Sequence, residues 1–411
     1  MRIHCINLHL GTGGAARAAA DYGTAWKALG HEVRLVSILS TNARTFPLQG
    51  GSDPFCLTSS PNLGALYGIS VLPFALFRAV RYCTHFRRDL FVIVHFVPAI
   101  IFLIPLRLLR IKYAYIEHTD SKGYWESARS KRRGPVVPVA FYLCRHVARH
   151  ASLFGTVSSQ GTKRAMAKYG IKAIRATTFL NYFDGTISPA PPQPPSGLNY
   201  CALMVGRLES GKGFDHLPGI LSGLFTETER SGIGLTILLA GDGAMRGILE
   251  EECSDFIDSG KLVICGYVGP EKLAALYSQS QVFLAFSELE GFSLAMRDAL
   301  AYGHCIISTD CFTGPREMLG VPTRALLDCE DHIVEVVPCE AGFLIPLDLN
   351  PTQMGVTCGQ ILISLASQPE RLSAIRNSAQ MRASQYHHPE QLTFWRGVLS
   401  TIHDRPYPKE A

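Results

Sequence analysis

Three times between residues 200 and 270 a short, almost wholly apolar run ends in glycine: Leu203-Met204-Val205-Gly206, Leu235-Thr236-Ile237-Leu238-Leu239-Ala240-Gly241 and Leu262-Val263-Ile264-Cys265-Gly266. A strand that is apolar on both faces must be covered on both sides. That requirement fits a parallel sheet between helices, not an antiparallel sheet with one wet face. The glycines mark tight turns at strand ends, where open parallel sheets bind their ligands. The N-terminal half opens in the same manner. A strand from Ile3 to Leu8, the turn Gly11-Thr12-Gly13-Gly14, a helix to about Leu29 and a strand from Glu32 to Ser37 predict a βαβ start.

At 411 residues, 47% of them hydrophobic, the chain is long enough for two cores rather than one. The run Pro189-Ala190-Pro191-Pro192-Gln193-Pro194-Pro195-Ser196-Gly197 cannot form regular hydrogen-bonded structure and reads as a semi-rigid linker. Domains are therefore expected over 1–190 and 198–385. The twelve cysteines include no C-x-x-C pair and often sit inside apolar strands, as small buried hydrophobes in a reducing cytosol would. Met1 to Asn7 runs directly into strand and glycine loop, so no signal peptide is expected. The apolar stretch Leu90 to Leu109 contains His95, Pro98, Pro105 and Arg107 and reads as a strand followed by a helix, not as a membrane span.

The residues with the most chemistry lie in Ser287-Glu288-Leu289-Glu290-Gly291-Phe292-Ser293-Leu294-Ala295-Met296-Arg297-Asp298-Ala299-Leu300-Ala301-Tyr302-Gly303. Gly291 permits a tight turn, Ser293 can cap, and the alanine-rich run to Gly303 predicts a short helix whose first N–H groups attract an anion. Glu290 precedes that helix and Asp298 lies about two turns in, so both carboxylates can touch one elongated ligand. An ordinary capped helix with two solvent carboxylates would account for this segment alone. Upstream, Gly206-Arg207-Leu208-Glu209-Ser210-Gly211-Lys212-Gly213 follows a strand and carries two cations. Arg207 offers a planar donor fork and Lys212 a mobile point charge, a combination suited to a diphosphate, although a lone basic loop is more often simply solvated.

Together these motifs resemble the retaining glycosyltransferases of family 4, whose hallmarks are G-R-L-x-x-x-K-G and E-G-F-G-L-x-x-x-E-A-M-A-x-G. The chain keeps Glu290, Gly291, Phe292, Leu294, Ala299 and Gly303 but has Asp298 where the second Glu is usual. Cys305 to Glu317 looks like the S-x-D-C-x-x-G-P-x-E variant of bacterial members that build surface polysaccharides and lipid-linked glycans. The resemblance implies an α/β GT-B fold, two Rossmann-like domains facing across a cleft, with the helix at about 386–411 crossing back onto the first. It further implies transfer of a hexose or N-acetylhexosamine, with retention, from a nucleotide sugar, expected to be UDP-linked, to a glycan or lipid-linked acceptor. Glu290 would hold the donor sugar and Asp298 the ribose. Arg207 and Lys212 would stabilise the diphosphate, while Gly291, Phe292, Ser293 and Leu294 complete the donor turn. Gly241 and the backbone at Tyr267 would lie by the base. His118, after strand Tyr113 to Glu117, would orient sugar and acceptor, and Gly13 and Gly14 would face the donor. A lone His at a strand end is ordinarily structural. The resemblance implies no metal and no other cofactor. Val157-Ser158-Ser159-Gln160-Gly161 and Asn181-Tyr182-Phe183-Asp184 match landmarks that close the first domain.

Charge is unevenly divided. Residues 1–190 hold 24 of the 39 Lys and Arg but 8 of the 34 Asp and Glu, a net +16 against −11 for the remainder. Because the basic residues are interleaved with aliphatic and aromatic ones, as in Phe74 to Arg88, an anionic membrane surface is a better partner for them than nucleic acid. The expected location is cytoplasmic, peripheral on the membrane's inner face. Three other functions fit parts of the pattern: a sugar-nucleotide epimerase of similar fold, a non-catalytic glycan-binding or partner-activating subunit, and a nucleic-acid binder.

Overall fold

The computed structural model describes residues 1–10, 13–39, 55–58, 71–118, 136–179, 181, 198–209, 211–311, 313–323, 331–386 and 388–405. The proline-rich segment 189–197 and the turn residues Gly11 and Thr12 lie outside them. The chain divides into two compact units, Met1–Gly185 with Tyr386–Ala411, and Thr186–Gln385.

In the first unit the described elements run β1 (Arg2–Asn7), α1 (Gly14–Ala28), β2 (Glu32–Ser37), β3 (Phe55–Cys56), α2 (Val71–His85), β4 (Leu90–Val94), α3 (Phe96–Leu108), β5 (Tyr113–Glu117), α4 (Val136–His150), β6 (Leu153–Thr156), α5 (Ser159–Tyr169) and β7 (Ala176–Thr178). The strands form one sheet in the order β3-β2-β1-β4-β5-β6-β7, parallel throughout. Leu90 to Val94 and Tyr113 to Glu117 are buried at every position, which is why neither strand alternates in sequence. From β3 to β6 the chain advances across the sheet in one direction, and right-handed crossovers place α2, α3 and α4 side by side on one face. Ser158 caps α5 by accepting a hydrogen bond from the Gly161 N–H.

The second unit contains β8 (Asn199–Val205), α6 (Leu217–Arg230), β9 (Gly234–Ala240), α7 (Arg246–Glu252), α8 (Ser254–Asp258), β10 (Leu262–Gly266), α9 (Pro270–Gln279), β11 (Val282–Ala285), α10 (Leu294–Ala301), β12 (Cys305–Thr309), α11 (Pro315–Leu319), β13 (Val337–Cys339), β14 (Gly342–Ile345), α12 (Pro351–Ala366) and α13 (Pro369–Ser384). Its sheet order is β10-β9-β8-β11-β12-β14-β13, parallel except for the edge pair of β13 with β14. The order reverses between β1 and β4 in one sheet and between β8 and β11 in the other. Both sheets are thus doubly wound, with a ligand-binding switch point at the carboxyl ends of those strands.

Each unit has its own apolar core. The last helix, α14 (His388–Asp404), belongs to the first unit. Its Trp395 is fully buried, edge-on to Trp26 at 5.3 Å and 4.9 Å from Tyr22. Among the described residues every cysteine is free. Burial pushes the thiols of Cys5, Cys83, Cys305 and Cys358 up to about 12, so they stay protonated and act as packing groups. No helix among the described residues is long and apolar enough to cross a membrane.

Candidate active site

The switch point of the second sheet brings the loops after β8 and β11 together. Gly213 follows Lys212 with φ +79, and a Cβ there would stand 2.2 Å from the Phe286 carbonyl oxygen. Glycine is therefore what lets the cationic loop lie against the end of β11. The Glu288 N–H donates to the Gly211 carbonyl at 3.1 Å and fixes the same approach. The result is a direct ion pair: Lys212 Nζ donates to Glu290 Oε1. Ser287 Oγ donates to that same oxygen at 3.0 Å, and Thr313 Oγ1 donates to the Glu290 carbonyl. Thr309 Oγ1, at the end of β12, holds the Ser287 carbonyl at 2.6 Å. Three strand ends thus orient one carboxylate.

Next to it, Ser293 caps α10, its Oγ accepting from the Met296 N–H at 3.2 Å. Gly291, Phe292, Ser293 and Leu294 form the turn into this helix, whose opening N–H groups carry the positive end of its dipole. Asp298 lies inside the helix and is only 3% exposed. The buried Arg297 folds back on it, with Nη2 2.8 Å and Nε 3.2 Å from Asp298 Oδ1. Sequence spacing does not point to this pair, because consecutive helix residues do not face each other.

Arg207 is half-exposed and donates to Glu209 Oε1 at 3.1 Å. Such a pair is worth about 0–1 kcal/mol, so the guanidinium exchanges partners at little cost. Gly241 closes β9 with its N–H on the Gly266 carbonyl at 2.9 Å, and a Cβ there would fall 1.8 Å from the Gly206 oxygen. Tyr267, just beyond β10, is exposed. The turns after β8, β9 and β10 are therefore contiguous.

Behind them, Arg316 forms a buried bidentate pair with Asp310, Nε to Oδ1 at 2.7 Å and Nη2 to Oδ2 at 2.6 Å. Asp310 also accepts the Ile333 N–H at 2.9 Å. The Arg316–Asp310 pair is thus a bolt beside Thr309 and Thr313. Breaking such a pair from one side costs about 3–5 kcal/mol. Among the described residues Asp215, His216 and Glu288 bring ligand atoms within 4.8 Å of one another. His216 Nε2 lies 3.4 Å from Glu288 Oε1 and 3.9 Å from Asp215 Oδ2, so polar contact of one exposed ring with two carboxylates accounts for the grouping.

The remaining sequence-derived candidates are in the first unit. Gly13 is the residue before α1, its carbonyl accepting from the Arg17 N–H at 3.1 Å, and Gly14 begins the helix. His118 directly follows β5, and Thr119 and Asp120 lie outside the described residues. Tyr22, buried in α1, donates to Asn181 Oδ1 at 2.6 Å, and with that hydrogen committed its oxygen faces His118 Nε2 at 3.4 Å. Gln391 of α14 donates to the Asn181 carbonyl at 2.8 Å. The terminal helix thereby supports the residue that sets the His118 tautomer.

Burial, with a smaller contribution from the nearby His95, lowers the His118 pKa to about 3. Its ring is neutral at pH 7, suited to hydrogen bonding and not to carrying charge. Between about pH 3 and the ordinary value near 6.5 the unfolded chain binds the proton more strongly. His118 therefore contributes stability that is complete above about pH 6.5 and declines as the pH falls through that window. Unfolding free energies from pH 7.5 to 5 should fall less steeply in His118→Gln than in the wild type; parallel curves would show that the site is not depressed.

With this geometry in hand, the family comparison is specific. Residues 12–184 match the family model described as Glycosyltransferase Family 4, and residues 200–337 match the model described as Glycosyl transferases group 1. The chain belongs to the family 4 glycosyltransferases. A GDP-mannose-dependent alpha-mannosyltransferase of Corynebacterium glutamicum is 33% identical over 151 residues, 37% of this chain and 33% of that relative. An uncharacterised glycosyltransferase of Methanocaldococcus jannaschii is 32% identical over 105 residues, 26% of each chain. The matched regions thus span about a quarter to a third of these relatives' lengths. Among solved structures, Anabaena HepE in complex with UDP-glucose aligns with 98% of this chain and 100% of its own at a TM-score of 0.70 and 16% identity. The pneumococcal O-GlcNAc transferase GtfA, solved with UDP and GlcNAc, aligns over 98% and 99% at a TM-score of 0.70 and 15% identity. These likenesses show the fold, GT-B, with two Rossmann-like domains.

Proposed function

We propose that this family 4 glycosyltransferase moves a hexose or N-acetylhexosamine from a UDP-linked donor to a glycan or lipid-linked acceptor, retaining configuration and forming an α-glycoside. The observation that carries the reading is the Lys212–Glu290 pair at the switch point of the second sheet, beside the start of α10. On this reading Lys212 exchanges Glu290 for a phosphate oxygen, and the released carboxylate takes the donor sugar's hydroxyls. Arg207 and the opening N–H groups of α10 share the diphosphate charge as the sugar departs. Asp298 serves the ribose, and the turns at Gly241 and Tyr267 serve the base. His118 orients the sugar and acceptor as a neutral hydrogen-bonding ring, with Gly13 and Gly14 as further donor contacts. We assign no metal, because cations and helix dipole supply the positive field, and no covalent nucleophile, which leaves substitution on the leaving-group face.

UDP is supported by complexes of fold relatives that align over nearly the whole chain, whereas the GDP-mannose relative aligns over 37% of it. The acceptor's lipid would bring the enzyme to the cytoplasmic face of a membrane. The test is a panel of UDP-glucose, UDP-galactose, UDP-N-acetylglucosamine and GDP-mannose, scored by release of nucleoside diphosphate. A UDP-sugar should turn over, and Asp298→Ala should weaken UDP binding about tenfold or more while Asp298→Glu retains it. Nucleotide binding without release from any donor would instead favour a non-catalytic subunit, a reading that the burial of Asp298 against Arg297 makes specific.

A further inference from the structure

The helices α2, α3 and α4 of the first unit present an outer face that the glycosyl-transfer site does not use. Its exposed side chains are unusually large and apolar: Phe74 at 52% exposure and Phe77 at 59% on α2, Leu108 at 75% on α3, and Tyr142 at 64% on α4, with Ile104 and Val139 beside them. Single exposed apolar residues are ordinary on a protein surface. Several on three adjoining helices are not.

The charge of this face is one-sided. The three helices contain no Asp or Glu, whereas Arg78 and Arg81 lie on α2, Arg107 on α3 and Arg145 and Arg149 on α4. Arg87, Arg88 and Arg110 follow the ends of α2 and α3, and all three are exposed. Arg78 sits 5.6 Å over the Phe74 ring, an arrangement in which the aromatic body is available to an apolar phase while the guanidinium stays at its polar boundary. A protein partner would have to offer an acidic and apolar surface across three helices; a bilayer with anionic headgroups offers both everywhere.

We propose that the outer face of α2, α3 and α4 docks this enzyme on an anionic lipid bilayer. The arginines meet the headgroups, and Phe74, Phe77, Leu108 and Tyr142 enter the interface between headgroups and acyl chains. The docking does not depend on which sugar is moved, because it is built on the side of the first unit that carries none of the proposed donor or acceptor residues. Apolar entry also distinguishes it from purely electrostatic adsorption: part of the binding persists when salt screens the charges.

The full-length protein is mixed with neutral phosphatidylcholine vesicles or with vesicles that also contain phosphatidylglycerol, at low and high salt, and binding is measured by flotation. The expected result is strong binding to anionic vesicles that falls, but does not vanish, at high salt. An Arg81→Gln, Arg107→Gln, Arg110→Gln variant should lose about a hundredfold in low-salt affinity, near fivefold for each charge removed. A Phe74→Ser, Phe77→Ser, Leu108→Ser variant should lose the salt-resistant part. Unchanged thermal unfolding and UDP binding in both variants separate lost docking from lost folding. No binding to anionic vesicles at low salt, or equal binding to neutral ones, overturns the proposal. So does a dimer in sedimentation that the apolar variant converts to monomer, since a second copy would then be what covers the face.

Discussion

Glu290→Ala should lower the turnover number about 30- to 1000-fold while changing UDP affinity less than about threefold. Ser287 holds the carboxylate and Thr313 its carbonyl independently of Lys212, so its position stays set when Lys212 turns to phosphate. A group fixed in this way acts mainly where charge develops, and removal of such contacts costs about 2–4 kcal/mol in the transition state. Lys212→Ala is the contrasting variant. If Lys212 holds the diphosphate as proposed, both UDP affinity and turnover should fall. Calorimetric UDP titration together with steady-state kinetics separates the two; near-wild-type turnover in Glu290→Ala would falsify the donor-sugar role.

Gly213→Ala should destabilise the second unit by about 2–6 kcal/mol and abolish tight UDP binding. The left-handed backbone at φ +79 strains any other residue by about 1–3 kcal/mol, and the added Cβ, 2.2 Å from the Phe286 oxygen, forces the loop away for about 1–3 kcal/mol more. Since that loop carries Lys212, displacement breaks the Lys212–Glu290 pair as well as local stability. Gly232→Ala is the control: it too has positive φ, but a Cβ there meets nothing within 4 Å, so its cost should be backbone strain alone. If denaturant unfolding shows equal losses for the two variants, steric approach is not what Gly213 provides.

Much of this molecule was legible in local sequence patterns because the relevant physics is local. Apolar runs that end in glycine are strands, covered on both faces inside the sheet but not at its edge, where Val263 of β10 is exposed, and Glu32 to Ser37 and Tyr113 to Glu117 are strands in the structure as read. Ser293 capping a short helix follows from the hydroxyl's reach to the third N–H onward. The stretch from Leu90 to Leu109 is a strand and a helix that part at His95, with Pro98, Pro105 and Arg107 inside the helix. That Lys212 lies in the loop after β8 and Glu290 just before a short capped helix was likewise readable from the strand and cap signals around them.

Partnership across the fold was not legible. Nothing in the spacing of Lys212 and Glu290, 78 residues apart, says that they touch; sheet order does, by placing β8 beside β11. Arg297 reaching back to Asp298, Arg316 bolting Asp310, and Tyr22 linking His118 to Asn181 all depend on burial, which removes water as a competing partner and leaves one protein group to satisfy another. The basic, aromatic segment Phe74 to Arg88 could be read equally as a core helix or a surface one. Packing assigned Ala75, Ala79 and Cys83 to the core and left Phe74, Phe77 and Arg81 outside, because a helix can bury only one stripe against its sheet. Chain order encodes which elements form. Long-range contact selects which side chains end up paired, and no residue carries that information alone.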